Sequence, residues 1–171
     1  SGDTFTVPSG ATIVNSGTAT GFGGGKIGQM VSTQLDVLQS TTSTSQVAIT
    51  GVTGAITPSA TSSKIWVQGH LNWGFGTDNS LFFQMFRDST LINDQDFSSA
   101  DANTMYASGA GGVYSVMRTA SFSFLDSPSS TSELTYTAKW RVDGNTVYLN
   151  RVGSTDGKAG TSQWNLLEVL A

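Results

Sequence analysis

The sequence predicts an all-β fold, an antiparallel β-sandwich of the jelly-roll type. Short runs of alternating apolar and polar residues recur along the chain, each bounded by Gly, Pro, Asn, Asp or Ser. Ser and Thr together number 24 + 23 = 47 of the 171 residues and Gly adds 20, a composition that favours strands and turns over helices. No window of a dozen residues has apolar groups at three-four spacing without an interruption by Gly, Ser or Thr. About eight strands at this spacing are typical of a two-sheet sandwich.

The clearest strand is predicted over residues 65–75. Its apolar face consists of Ile65, Val67, Leu71, Trp73 and Phe75. Its second face carries Lys64, Trp66, Gln68, His70 and Asn72. The first face is apolar enough to be the floor of a core, because alternate side chains of a strand point to opposite sides. The second face must meet solvent, a ligand or another copy of the chain.

Residues 1–25 are predicted to form a separate stalk that ends in a glycine hinge. Phe5 with Val7, and Ile13 with Val14, form short apolar pairs separated by turn residues. A segment this short has no core of its own, so it becomes stable only if several chains supply faces to one another. A flexible N-terminal arm is the alternative. The head domain is expected over residues 26–171, and the chain is expected to be a piece of a longer protein.

The head domain continues strand after strand. Strands are predicted over residues 26–33, 46–50, 81–87, 91–92, 113–125, 134–142, 146–151 and 163–170. The run 81–87 is almost continuously apolar, which predicts burial on both faces. Turn residues at Asp88 and at residues 143–145 predict two hairpins. Trp73 and Trp140 lie on apolar faces and are expected in the core, whereas Trp66 is not.

A stretch without periodicity, residues 93–112, is the predicted variable loop. Loops this long inside a compact domain are uncommon and are usually functional. Aromatic rings beside carboxylates suit stacking on sugar rings and hydrogen bonding to hydroxyl groups. The candidate ligand-binding residues are Asp94, Asp96, Phe97, Asp101 and Tyr106. A solvated acidic loop is the simpler interpretation, and the Gly and Glu positions of an EF-hand loop are missing.

Charge and composition exclude several classes of partner. The net charge is −4 and the Lys and Arg residues are scattered singly, so no basic stripe for nucleic acid is expected. The chain has no Cys, which excludes disulfides and thiolate metal sites. No apolar run approaches the ~18 residues of a membrane span, so no membrane insertion is expected. The Gly-Lys pairs at 25–26 and 157–158 lack the spacing of a phosphate-binding loop.

Catalysis is not expected, and neither is a cofactor. A Ser-His-Asp arrangement would have to recruit His70 from the middle of a strand, with no nucleophile elbow in the sequence. A carboxylate pair of the glycosidase type is the open alternative, since the chain has many Asp residues. His70 is interpreted as an interface or surface residue rather than a metal ligand on a symmetry axis, so no metal site is predicted.

Several sequence strings resemble bacteriophage structural proteins. Residues 2–4, 8–13 and 15–22 are similar to a short stalk module of phage tail fibres, those of aquatic phages above all. Residues 56–65, 124–128 with Tyr136, and 146–151 are similar to the domain that often follows that module. The module and the domain together account for most of the chain, but residues 93–112 lie outside the resemblance.

The resemblance implies a virion appendage of the extracellular phage particle. By this likeness the protein is a homotrimer in which jelly rolls cap a β stalk. Its distal loops would bind a host cell-surface receptor, a glycan or a protein, and its N-terminal side would contact other virion proteins. A capsid head fibre or decoration protein with a structural role is the alternative. The expected trimer interface consists of Trp66, Gln68, His70, Phe5, Val7 and Ile13.

Overall fold

A computed structural model describes residues 8–9, 26–77, 79–92, 105–109, 116–153 and 159–170, with only the backbone described for 105–109. All the regular structure in these residues is β, so the predicted fold class is confirmed. The strands are β1 (Ile27–Leu35), β2 (Gln39–Thr41), β3 (Val47–Ile56), β4 (Lys64–Phe75), β5 (Asn79–Arg87), β6 (Thr90–Ile92), β7 (Met105–Gly109), β8 (Arg118–Asp126), β9 (Leu134–Val142), β10 (Val147–Leu149) and β11 (Ser162–Val169).

The first sheet, sheet A, is built around β4. Strand β8 pairs with one edge of β4, while β11 and β10 pair in turn with the other edge, all antiparallel. Outside them, β1 pairs with β11 and β2 pairs with β10. Strands β1 and β2 therefore occupy one position in the sheet, and β10 and β11 occupy another, each pair being one interrupted strand. Counted this way, sheet A is four strands wide.

The second sheet, sheet B, has the order β3–β9–β5, again antiparallel. The free edge of β5 is covered by β7 over its first half and by β6 over its last residues. Sheet B is therefore also four strands wide, with β6 and β7 sharing one edge position.

The order of these eight positions along the chain is that of a jelly roll. With β1–β2, β6–β7 and β10–β11 each counted as one strand, sheet A has the order 1-8-3-6 and sheet B the order 2-7-4-5. Consecutive strands thus alternate between the sheets in all but one step, as in a double Greek key. The predicted jelly roll is confirmed at the level of strand order.

The core lies between the inner faces of the two sheets. From β4 it receives Ile65, Val67, Leu71, Trp73 and Phe75, as predicted, and all are at most 3% exposed. Trp140 is buried as expected, and Trp164 of β11 is the largest of the fully buried side chains. Burying one Trp removes ~150–250 Å² from water, an upper bound of roughly 4–6 kcal/mol at ~25 cal/mol/Å².

Burial on both faces, predicted for 81–87, is observed in part: on the outer face of sheet B Phe82 is buried, whereas Gln84 and Phe86 are half-buried. Phe82 is covered by the guanidinium of Arg141, 3.7 Å from the ring centre. The ammonium of Lys139 lies 3.9 Å from the ring centre of Phe86. The charged ends of these two side chains therefore lie over the rings in cation–π contact and cover part of the outer face.

One sequence prediction about a connection was wrong. Residues 143–145 do not form a hairpin, because β9 lies in sheet B and β10 in sheet A, so this turn carries the chain between the sheets. The strand predicted over 113–125 is confirmed from Arg118 onward, whereas Val116 lies outside it and is 41% exposed. The hairpin through Asp88 is confirmed, with Asp88 at φ 52°.

The sandwich has two distinct ends. With 12 residues in β4, at ~3.3 Å per residue, the ends lie about 40 Å apart. The proximal end holds Lys64 and Val169, and the chain enters the sheet there, where the Leu170 amide donates to the Lys26 carbonyl at 2.8 Å. The distal end holds Phe75 and Val147.

Candidate functional site

The outer face of sheet A carries an apolar row that crosses all four strands. The register places these side chains opposite one another: Met30, Leu167, Trp66 and Leu125. Directly paired residues share a face and lie about 5 Å apart, so the four form a continuous stripe. We call this stripe the apolar row.

The apolar row is most exposed at its two ends. Met30 at one edge of the sheet is 60% exposed and Leu125 at the other edge is 51% exposed, whereas Leu167 between them is 9% exposed. The indole Nε1 of Trp66 donates to Oγ of Ser123 at 2.8 Å, which fixes the ring across the sheet. The middle of the apolar row is therefore fixed in position, and exposed apolar side chains project at both edges of the sheet.

Two uncharged rows lie beside the apolar row on the distal side. The first contains Ser32, Asn165, Gln68 and Ser123. The second contains Gln34, Gln163, His70 and Ser121. Amides and hydroxyls both donate and accept hydrogen bonds, so this surface can pair with a surface of the same composition.

The structure brings together only part of the predicted interface. Trp66, Gln68 and His70 lie on the outer face of β4, on adjacent rows as the alternation predicted. The stalk residues Phe5, Val7 and Ile13 lie outside the described residues.

The predicted ligand loop is largely beyond what the structure describes. Asp94, Asp96, Phe97 and Asp101 lie outside the described residues. Tyr106 lies in β7, where its backbone pairs with Phe82 of β5. Part of the predicted loop is therefore an edge strand of sheet B.

A polar cavity of about 280 Å³ opens at the distal end, which we call the distal cavity. Its lining comes from the end of β4, the sheet-to-sheet turn, β10 and the segment that follows it: Gly76, Thr77, Gly144, Asn145, Thr146, Tyr148 and Gly153. Tyr148 is the one aromatic residue among them, and none of them carries a formal charge at neutral pH.

Close backbone approaches shape the distal cavity. A Cβ on Gly153 would lie 1.5 Å from the carbonyl oxygen of Phe75, and one on Gly74 would lie 2.6 Å from that of Arg151. These contacts bring residues 151–153 directly against the end of β4. The Gly76 amide donates to the Thr146 carbonyl at 2.9 Å. This bond joins the residues that follow β4 to the turn that precedes β10.

Arg151 adjoins the cavity and is held in place. Its guanidinium lies 4.2 Å from the ring centre of Tyr148, and its Nε donates to the Val152 carbonyl at 3.1 Å. The turn beside it is fixed by Asn79, whose side-chain amide donates to the Asn145 carbonyl and whose Oδ1 accepts the Asp143 amide at 3.0 Å. Sequence reasoning missed this site, because its glycines and threonines look like ordinary loop residues.

The buried carboxylate of Glu168, at the proximal end, holds a turn of the chain in place through hydrogen bonds. Glu168 is 1% exposed and accepts from the Ser59 amide at 2.6 Å, the Ser59 hydroxyl at 2.7 Å and Nε2 of Gln29 at 2.8 Å. Burial alone would raise its pKa, but the hydrogen bonds, those of Ser59 first, lower the pKa to about 2. This carboxylate anchors the turn between β3 and β4.

Metal-ligating side chains do not cluster in the described ranges. Among these residues, no three His, Asp or Glu side chains come together to hold an ion. None of the residues that the structure describes forms a helix long and apolar enough to cross a bilayer.

Comparison with known protein families finds no family model that matches the chain, and comparison with curated proteins finds no match either.

Proposed function

We propose that this chain is the distal domain of a bacteriophage tail fibre, a virion appendage that assembles as a homotrimer and binds a receptor on the host cell surface. The observation that carries the proposal is the outer face of sheet A, where the apolar row runs between exposed ends beside two uncharged rows. The sequence resemblance to phage tail fibres supports the same assignment. The proposed role is binding, not catalysis.

A second copy of the chain is the occupant that suits this face. Leu125 and Met30 are large apolar residues with half or more of their surface exposed, and contiguous apolar surface of this kind is typical of interfaces. A copy that meets the two neighbouring rows brings no like charges together, since those rows hold only amides, hydroxyls and His70. The amides can hydrogen-bond to their own kind across the contact.

Threefold rather than twofold assembly is favoured by where the exposed ends lie. Leu125 is on the β8 edge and Met30 is on the β1 edge, three strand spacings or about 14 Å apart. A contact between the β8 edge of one protomer and the β1 edge of the next is heterologous, and such contacts form a ring when the rotation between protomers closes and an open filament when it does not. Closure with three protomers would turn the three apolar rows toward a common axis.

The mass of the full chain in solution, measured by light scattering after size-exclusion chromatography, tests this assembly. We expect three times the chain mass for the natural sequence and a monomer for Leu125→Asp, because the new charge would be buried against the neighbouring protomer. Val116→Asp is the matched control, since Val116 is also an exposed apolar residue and lies outside any strand. A monomeric natural chain, or a Leu125→Asp trimer, would contradict the proposal.

The place on the particle needs its own experiment. Immunogold labelling of intact virions with antibody to this chain is expected to mark the tail fibres, and the purified chain is expected to compete with virions for adsorption to host cells. Labelling of the capsid without competition would favour the head-fibre alternative.

A further inference from the structure

We infer that the distal cavity is a binding site for one uncharged sugar ring, a hexopyranose at the accessible end of a surface glycan. This sugar would be the receptor group contacted in the proposed function, and to that extent the inference rests on that function. The contact then lies at the turns that end the sandwich, not in the loop at 93–112.

The position of the cavity suits a receptor contact. The chain enters the sandwich at Lys26, beside Val169 and Lys64, and the distal cavity lies at the other end of β4 beyond Phe75. About 40 Å of strand separates the two ends. A surface that reaches a host cell must lie away from the part that joins the particle, and the cavity meets this condition.

The volume of the cavity suits a single ring. Pockets for drug-sized ligands have volumes of ~300–1,000 Å³, and the cavity of about 280 Å³ lies just below that range. One six-membered sugar ring with its hydroxyls fits such a volume, whereas a folded peptide or an extended oligosaccharide does not. A longer glycan would place one ring in the cavity and leave the rest in solvent.

The lining of the cavity suits sugar hydroxyls and a sugar C–H face. The hydroxyls of Thr77 and Thr146 and the amide of Asn145 offer groups of the kind that bind sugar hydroxyls. Nothing lies within 4 Å of the Cβ position of Gly144, so the backbone there is open to a ligand. The Tyr148 ring supplies the apolar body against which the C–H face of a pyranose packs.

The charge of the lining favours a neutral ligand. Among the lining residues that the structure describes, none is a carboxylate or an ammonium group. The guanidinium of Arg151 is already stacked on Tyr148 and its Nε is bonded to the Val152 carbonyl. It contributes to the rigidity of the aromatic wall. The arrangement therefore favours a neutral, hydroxyl-rich ligand over an acidic sugar.

The direct test is a titration of the full isotope-labelled chain by NMR with methyl glycosides of glucose, galactose, mannose, rhamnose, N-acetylglucosamine and N-acetylgalactosamine. Methyl glucuronide is the charged comparison. We expect at least one neutral glycoside to shift the amides of Gly76, Thr77, Gly144 and Gly153, with a dissociation constant near ~1 mM as befits a single ring. Methyl glucuronide is expected to bind more weakly.

Two variants locate the contact. Thr77→Ala removes a hydroxyl from the lining and is expected to weaken binding roughly two- to tenfold. Tyr148→Leu removes the ring and is expected to weaken it roughly three- to tenfold. Thr135→Ala, which removes an exposed hydroxyl at the proximal end, is the control and should leave the affinity unchanged.

The outcomes separate this inference from the proposed function. Absence of shifts with every neutral glycoside, or shifts elsewhere that Thr77→Ala leaves unaltered, overturns the sugar site. If the Thr77→Ala chain then still competes with virions for host cells, the proposed function stands without it. If a sugar binds in the cavity but the natural chain does not compete, the sugar site stands and the proposed function fails.

Discussion

The hydroxyl of Tyr136 donates a 2.6 Å hydrogen bond to Oδ2 of Asp126, and this bond ties the two sheets together at the proximal end. Asp126 is the last residue of β8 in sheet A, and Tyr136 lies in β9 of sheet B. Arg87 completes the cluster with bonds of 2.7 and 2.6 Å to the two carboxylate oxygens. Burial raises the pKa of Tyr136 and Asp126 raises it further, so the phenol remains a donor.

Tyr136→Phe is expected to lower the free energy of unfolding by about 1–2 kcal/mol, because Asp126 loses a donor in a buried setting. Urea denaturation followed by tryptophan fluorescence measures the change. Tyr148→Phe is the matched control, since Tyr148 is partly exposed at the other end, and its effect should stay within ~0.5 kcal/mol. Equal effects of the two substitutions would contradict the role assigned to Asp126.

Acid is expected to destabilise the protein through Glu168. Its pKa is lowered from 4.5 to about 2 in the folded chain, so its contribution is present above pH 4.5 and disappears as the pH falls towards 2. A shift of this size corresponds to at most roughly 3–4 kcal/mol. Urea denaturation between pH 7 and pH 2 checks the slope.

The matched pair for this pH dependence is Glu168→Gln and Glu133→Gln. Glu133 is exposed, so its replacement should leave the pH profile almost unchanged. Glu168→Gln is expected to flatten the pH profile and to be less stable at pH 7. The amide of Gln has only one oxygen, so it cannot accept the hydrogen bonds from both Ser59 and Gln29. A steep profile retained in Glu168→Gln would place the acid sensitivity elsewhere.

Asn150 is expected to be essential for the interruption between β10 and β11. It is fully buried, and its Nδ2 donates to the carbonyls of Leu35 at 2.9 Å and Val37 at 3.1 Å. Its Oδ1 accepts from the Ser162 hydroxyl at 2.6 Å. Asn150→Ala should lower the free energy of unfolding by about 2–4 kcal/mol, because three buried groups lose a partner.

The comparison variant for that site is Asn150→Gly, which suits the φ of 60° but also removes the side chain. If lost hydrogen bonds dominate, both variants should be similarly unstable in thermal unfolding. Recovery of stability in Asn150→Gly would show that backbone strain affects stability more than the buried amide does.

Gly153→Ala is expected to distort the distal cavity, because the new Cβ would lie 1.5 Å from the Phe75 carbonyl oxygen and backbone must move. We expect a loss of about 2 kcal/mol or more. Gly144→Ala is the control for backbone strain, since its Cβ meets nothing within 4 Å but its φ is 114°, and it should lose about 1 kcal/mol. Thermal unfolding measures both. Equal losses of stability in Gly153→Ala and Gly144→Ala would contradict a steric clash between residue 153 and the Phe75 carbonyl.

Absence of cysteine makes the proposed trimer contact open to cross-linking. In the double variant Met30→Cys with Leu125→Cys, the two thiols of one chain are about 14 Å apart, too far for a disulfide. Mild oxidation is therefore expected to link neighbouring chains and to give dimer and trimer bands on a non-reducing gel. Leu125→Cys alone should stay unlinked; a dimer from it would indicate a twofold contact instead.

Sequence alternation predicted the central strand and its two faces because β4 runs for 12 residues without a break. The same reasoning gave only the first part of β3, since Gly51 has a φ of 82° and a register shift between Ala48 and Thr53 interrupts the period. Short strands such as β2 carry three residues, which is too few for a period to be read.

Contacts between distant residues could not be predicted from local pattern. The turn at 143–145 has hairpin residues, yet it changes sheets, because the edges beside β9 are taken by β5 and β3. The distal cavity depends on Gly153 lying against Phe75, a contact between residues far apart in the chain. The apolar row likewise required the register of four strands, although Trp66 alone indicated its location.

The interruption of the last strand has a practical consequence. Where the chain leaves and rejoins this strand, Arg151 and Ala159 form an isolated antiparallel bridge, and the Gly160 amide donates to the Asn150 carbonyl at 2.9 Å. The bridge thus fixes the pairing of β10 and β11 with β4, regardless of how many residues connect Gly153 to Ala159. The two strands should therefore keep their register against β4 when a foreign peptide is inserted between Gly153 and Ala159, which gives protein engineers an insertion point.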